Sequence, residues 1–225
     1  MQKGARTPLS APARTRRYAL PLAAAVVAVA TTLDVLAGGL LRQFDQWTFA
    51  GGLPPRTGAW HLFWRTIVNG GQYWIVATLA ALAAAWTAWR RRGQGRGRAL
   101  GLLAACAAWL VATELVIRAA QTVFARTPPR TGVDELFQAG YLSYPSGHAA
   151  NAAACWIFIL AALGASRRWT AAAHLLIAGV AVAVVTLGYH WPTDALAGWG
   201  LGAVLGCAGR ELPRRWPGSQ PAPGD

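Results

Sequence analysis

Residues 147–189 read GHAANAAACWIFILAALGA, then SRRW, then TAAAHLLIAGVAVAVVTLGY. Two apolar runs of 19 and 20 residues flank a short basic turn that carries a tryptophan. A hydrocarbon core of about 30 Å takes about 20 residues of α-helix. Inside it, backbone groups must be paired within the segment. The stretch therefore reads as two membrane spans, Gly147–Ala165 and Thr170–Tyr189, joined on the side where the arginines lie.

Outward from this pair the same pattern recurs at Tyr18–Leu41, Gly70–Trp89, Ala99–Ala120 and Thr193–Gly209. The expected fold is all-α, a six-span transmembrane helical bundle. The last span is Gly-rich, and Gly198, Gly202 and Gly206 suit close helix packing through small residues. The composition agrees: 55% of the 225 residues are hydrophobic and only 13% charged, against about 25% charged in soluble domains. The formal charge of +13 comes from basic clusters between apolar runs, not from one basic face, so nucleic acid is not an expected partner. Cys106, Cys155 and Cys207 lie in Ala/Leu/Val-rich stretches and read as small apolar residues, not a disulfide frame or a metal set. A soluble fold, a disordered chain and a secreted disulfide scaffold are all disfavoured.

Charge placement sets an expected orientation. With both termini cytoplasmic, 15 of the 21 Lys and Arg residues fall inside, among them Arg90, Arg91, Arg92, Arg167, Arg168, Arg210 and Arg214. Arg42, Arg56, Arg65, Arg118, Arg126 and Arg130 remain outside, as the positive-inside bias requires. The expected organisation is a basic cytoplasmic N-terminus (1–17), a membrane domain (18–209), and a basic, then Pro/Gly-rich cytoplasmic tail (210–225). The first span is read as a retained anchor; the alternative is a cleavable signal ending near Ala28-Val29-Ala30, for which the apolar run is long. The loop from Arg42 to Asn69 holds Trp47, Trp60 and Trp64 and reads as an interfacial helix or lid, or as simple packing.

Polar groups at span ends draw a functional reading, because burying them without partners is costly. Pro145-Ser146-Gly147-His148 opens the fourth span, and His190-Trp191-Pro192-Thr193-Asp194 joins the fifth to the sixth. In the six-span arrangement both lie on the outer face at similar depth. Ser146 can cap a helix whose free N–H groups favour an anion, and Gly147 lets the backbone approach it. The bland alternative is an ordinary capped helix with an interfacial histidine. Asp194, four residues after His190, can orient an imidazole and stabilise its charge, or merely close a turn.

Together these groups resemble the type 2 phosphatidic acid phosphatase superfamily. The residues that carry the resemblance are Tyr144-Pro-Ser-Gly-His-Ala149 and Leu187-Gly-Tyr-His-Trp-Pro-Thr-Asp-Ala-Leu-Ala-Gly198, with an Arg/Pro-rich loop upstream. The resemblance implies metal-independent cleavage of a phosphate ester or anhydride with no cofactor. It makes His190 the nucleophile that forms a phosphohistidine, Asp194 its orienting carboxylate, and His148 the proton donor to the leaving oxygen. Arg118, Arg126, Arg130, Ser146 and Gly147 are the expected phosphate-binding set. The chemistry is sound, since imidazole serves as nucleophile or acid near neutrality. Asp134-Glu135 is the only adjacent acidic pair, which leaves little for a carboxylate-built two-metal site.

The chain also departs from the family pattern of Lys, six residues, then Arg-Pro. Arg118 is separated from Arg126 by seven residues instead of six, and Arg126 is followed by Thr127; another register places Gln121 at the lysine and Pro128-Pro129 at the Arg-Pro. Ala183 and Val184 occupy the Ser-Arg positions of the third motif. Glu114 and Arg118 are expected to pair along one helix face, and Asp34 to partner a buried cation. The expected function is a cell-membrane lipid phosphatase with an extracytoplasmic site, acting on a polyprenyl diphosphate, phosphatidate or phosphatidylglycerol phosphate. Its partners are then the lipid phosphate and the bilayer. The alternatives are a phosphotransferase to an acceptor other than water and a non-catalytic lipid-binding protein.

Overall fold

The computed structural model describes residues 11–215, with side chains from Tyr18 to Arg214 except that of residue 94. Most of the basic segment 1–17 and the tail beyond Arg215 lie outside the described residues. The described chain is helical, with no strand. In order the helices are α1 (Ala11–Ala37), α2 (Leu40–Thr48), α3 (Gly58–Val68), α4 (Tyr73–Arg90), α5 (Arg96–Phe124), α6 (Gly147–Leu163), α7 (Arg167–Thr186), α8 (Pro192–Gly209) and α9 (Glu211–Arg215).

Each of the six expected spans overlaps a helix, but the lengths differ from the expectation. Among the described residues, Tyr18–Ala37, Arg96–Thr131 and Arg167–Thr186 are long and apolar enough to cross a membrane. A fourth arises if α3 and α4, bent by 47° at their junction, form one broken span. Helix α6 is apolar but shorter, at 17 residues. The first apolar run does not continue to Leu41. It breaks at Gly38, whose φ of +68° is a left-handed conformation suited to glycine. Asp34 then caps the next helix by accepting a 3.0 Å hydrogen bond from Arg42 N. Asp34 is thus a capping residue and not the partner of a buried cation.

Helix α8 is central, packed against α6 on one face and α1 on another. Glycine makes both approaches possible. A Cβ at Gly198, Gly202 or Gly206 would collide with the backbone of Ser146, Ala150 or Ala154 on the α6 side, and one at Gly200 with the Ala24 carbonyl of α1. The interior is filled by Val76, Ala80, Cys106, Cys155 and Phe158 between α4, α5 and α6, and by Ala24, Ala152, Ala153, Ile177 and Ala203 between α1, α6, α7 and α8. All three cysteines are buried and free. The loop from Arg42 to Asn69 is largely helical, and α2 and α3 carry exposed Leu40, Phe44, Trp47, Trp60 and Phe63.

Candidate active site

The site forms where three segments meet at one end of the bundle: the α5–α6 loop, the start of α6, and the turn into α8. Each is fixed by ordinary local chemistry. Ser146 caps α6, its Oγ accepting from Ala149 N at 3.4 Å. Pro192 occupies the first turn of α8, where its missing N–H is harmless. Asp194 at the third helical position accepts from Trp191 N at 3.0 Å and suits the positive end of the helix. The two motifs are stitched together by Ser146 N donating to the Asp194 carbonyl at 2.9 Å.

This places the two imidazoles at one cavity. The rings of His148 and His190 lie 6.2 Å apart, centroid to centroid, inclined by 64°. Both border a cavity of about 500 Å³, with Gly147, Arg118 and Arg130 in the same wall. His190 Nδ1 is 2.9 Å from the Ser143 carbonyl. A carbonyl only accepts, so Nδ1 must carry the proton, and the neutral ring then has its lone pair at Nε2. Asp194 Oδ2 is farther from Nδ1, at 3.5 Å. Its closer partner is Ser143 Oγ at 2.5 Å. Ser143 therefore stands between the carboxylate and the imidazole, a role that sequence reasoning missed. His148 Nε2 pairs with Gln72 Oε1 at 2.9 Å, a second unforeseen partner, contributed by the junction before α4.

The expected phosphate-binding residues divide. Arg118 borders the cavity but is held by Glu114 at 2.7 Å, the helix-face pair that the i,i+4 spacing predicts. Arg130 borders it too and is solvent-exposed. Gly147 lines the cavity, whereas Ser146 is fully buried and acts as a cap and a stitch instead of a wall residue. Gln121 and Pro128 also line the cavity, which is where the alternative register puts the first motif. Val184 and Ala183 are buried in an apolar cluster with Val68, Leu187 and Ala195.

Arg126 is a correction. It is 0% exposed and is not among the cavity-lining residues, so it is not placed to hold phosphate. Its guanidinium is consumed by Asp134 at 2.7 Å, Asp45 at 2.8 Å, Asp194 at 2.8 Å and Thr193 Oγ1 at 2.7 Å, and it lies over the Trp191 ring. The driving force is desolvation: a buried charge persists only when it is paired and hydrogen-bonded. Asp45 also accepts from Thr193 N at 2.9 Å and from Thr193 Oγ1. Arg42 donates to Asp134 at 2.8 Å and neutralises the far side of the set. Burial lifts the Asp45 carboxyl to about 6 against the pull of Arg126. Asp134 is also partly buried, yet hydrogen bonds and charge from Arg126 and Arg42 hold it below the usual carboxylate range. No single signal in the sequence marks Asp45, which sits in the amphipathic helix α2.

Among the described residues no carboxylate borders the cavity; its polar wall is built from Gln72, Gln121, Asn151, Ser143 and three tyrosines, besides the histidines and arginines. The arrangement supplies an unprotonated ring nitrogen, a second imidazole within reach of the same ligand, and two cationic side chains. Those are the parts needed to attack and stabilise a phosphoryl group.

Comparison with known proteins bears on this geometry. The sequence model of the PAP2 superfamily matches residues 102–216. Among solved structures, the chain is similar to the crystal structure of the first transmembrane PAP2 type phosphatidylglycerolphosphate phosphatase from Bacillus subtilis. That match has a TM-score of 0.60 at 18% identity and covers 92% of this chain and 100% of the other, which shows a common fold. No curated protein sequence matches. The matched segment runs from within α5 through α9 and contains both site histidines, and the chain belongs to the PAP2, or type 2 phosphatidic acid phosphatase, superfamily.

Proposed function

We propose that this multi-pass membrane protein is a lipid phosphate phosphatase that works through a phosphohistidine on the extracytoplasmic face. In this reading α1, α4 with the bent α3, α5, α6, α7 and α8 are the six spans, and the basic ends of α4, α7 and α8 face the cytoplasm. His190 Nε2 attacks phosphorus as the bond to the leaving oxygen breaks, and His148 supplies that oxygen with its proton. Water then attacks the phosphohistidine, with His148 as base, and phosphate leaves as the imidazole is restored. Arg130, Arg118 and the Gly147 backbone hold the phosphoryl oxygens. No metal takes part.

The observation that carries this reading is the 6.2 Å approach of two imidazoles at one cavity, with His190 Nδ1 engaged by a carbonyl so that Nε2 is free. A lipid substrate is supported by an apolar groove of about 230 Å³ between α1, α5 and α8. It is lined by Val29, Leu33, Phe124 and Leu201 and runs past Tyr144 and Pro145, beside the site. The test is phosphate release from polyprenyl diphosphate, phosphatidate and phosphatidylglycerol phosphate in detergent, with a chelator present. Turnover that survives the chelator and is lost in His190→Ala supports the proposal; equal rates in both proteins reject the nucleophile. The neutral residues Gln121, Pro128 and Val184 at positions that are basic in the family pattern favour a second reading, a lipid phosphate binder without turnover. Binding of these lipids with no phosphate released from any of them supports that alternative.

A further inference from the structure

Arg126 and Asp45 are fully buried and border no part of the catalytic cavity, yet both connect to the reactive imidazole by a chain of hydrogen bonds that enters Ser143 at its hydroxyl and leaves at its carbonyl. From Asp45 Oδ2 the chain passes to Arg126 Nη2 at 2.8 Å, and from Arg126 Nη1 to Asp194 Oδ1 at 2.8 Å. It continues from Asp194 Oδ2 to Ser143 Oγ at 2.5 Å, and from the Ser143 carbonyl to His190 Nδ1 at 2.9 Å. Asp45 further grips the first turn of α8 through Thr193 N at 2.9 Å. The same turn carries Asp194.

We propose that Asp45 and Arg126 are positioning residues for His190: together they fix the rotamer and charge of Asp194, and through Ser143 the tautomer and orientation of the nucleophilic ring. The proposal rests on the phosphohistidine reading for its kinetic consequences but not for its geometry. It makes helix α2, which lies outside the 102–216 match, part of the machinery. A three-carboxylate shell of Asp45, Asp134 and Asp194 surrounds one guanidinium, with Arg42 behind, and keeps Arg126 buried away from the cavity and from any substrate in it. Of its three carboxylate partners, Asp194 is the one that leads on to His190.

The charged and titratable groups around His190 are His148 of α6, Asp194 of α8, Arg118 of α5, Arg130 of the α5–α6 loop, and Tyr73, Tyr141 and Tyr189 in the cavity wall. Neither substitution replaces any of these side chains, and Asp194 is the one among them that Arg126 contacts, so a shift in the His190 titration reports the relay through Asp194. Removing the negative charge in Asp45→Asn should lower the apparent pKa of His190, and removing the positive charge in Arg126→Gln should raise it. Each shift is expected to be about half a pH unit or more. A purely structural role moves stability and leaves the titration in place.

The experiment is a pH titration of ¹⁵N-histidine-labelled full-length protein in detergent by NMR, for wild type, Asp45→Asn and Arg126→Gln, with His190→Ala to assign the resonance. Alongside it, kcat and KM are measured on phosphatidylglycerol phosphate. Shifts of opposite sign, with kcat lowered about tenfold and KM within about twofold because neither residue touches substrate, support the proposal. An unmoved His190 titration in a folded Asp45→Asn protein overturns it, even if Arg126→Gln fails to fold. If wild type turns over no lipid phosphate, the enzyme reading fails, and the NMR arm still decides the positioning role.

Discussion

Asp45 lies among three hydrogen-bond donors, Arg126 Nη2, Thr193 N and Thr193 Oγ1, with no open surface of its own. Burial outweighs the attraction of Arg126 and lifts its carboxyl from 3.8 to about 6. A raised carboxyl pKa means the folded state prefers the protonated form. The stabilising contribution of this group is therefore complete below about 4 and is lost as the pH rises through about 6. Asp45→Asn keeps an acceptor for Thr193 N and lacks the titration. The thermal midpoint of wild type should fall relative to that of Asp45→Asn between pH 4 and 7 in detergent; a constant difference across that window contradicts the assignment. Asp45→Ala leaves the buried Thr193 N–H and part of Arg126 unpaired and should cost about 3–5 kcal/mol. At this scale the sequence is legible only where a residue type names its own chemistry. That His148, His190 and Asp194 would be brought together was readable from two short motifs. The Asp45 contacts with Arg126 and Thr193 were not, because they join residues 81 and 148 positions apart. Arg126 was misread as a phosphate ligand because its solvent-excluding shell comes from three separate segments.

Helix α8 shows what can be read at the scale of elements. The four-residue spacing of Gly198, Gly202 and Gly206 announces one smooth face, and that face meets the α6 backbone. Gly202→Ala sets a methyl against the Ala150 carbonyl and should destabilise by about 1–3 kcal/mol. Gly93→Ala, in open space at the α4–α5 connection, should be neutral by comparison. Unfolding midpoints of the two variants in detergent check this, and equal midpoints refute the close approach. The end of α1 was misjudged for a related reason. Hydropathy runs on through Leu40 and Leu41, whereas the break depends on the positive φ of Gly38 and on Asp34 capping α2. Periodicity registers apolar length and misses a cap formed eight residues away.

At the scale of the molecule, clusters of Arg90, Arg91, Arg92 and Arg210 gather at one end of the bundle, where Arg91 donates to the Pro213 carbonyl, and the histidine cavity opens at the other. The orientation reading makes the first end cytoplasmic. A single cysteine at exposed Val133, in a background with Cys106, Cys155 and Cys207 replaced by alanine, should react with a membrane-impermeant maleimide on intact cells. One at Gly93 should react only after permeabilisation. The reverse pattern would put the cavity in the cytoplasm. The positions and order of the six longest helices could be read from hydropathy, but the short helices α2, α3 and α9 could not, and a count of crossings is harder, since α6 has 17 residues and α3 and α4 are bent by 47°.

The whole account turns on one bond, that between phosphorus and a ring nitrogen of His190. Wild-type protein mixed with ³²P-labelled lipid phosphate, quenched in alkali and digested, should yield a labelled peptide containing residue 190. The label should be acid-labile, and His190→Ala should lose it together with turnover by about a thousandfold or more. Sustained phosphate release by wild type with no label on that peptide, or turnover in His190→Ala at the wild-type rate, would contradict it.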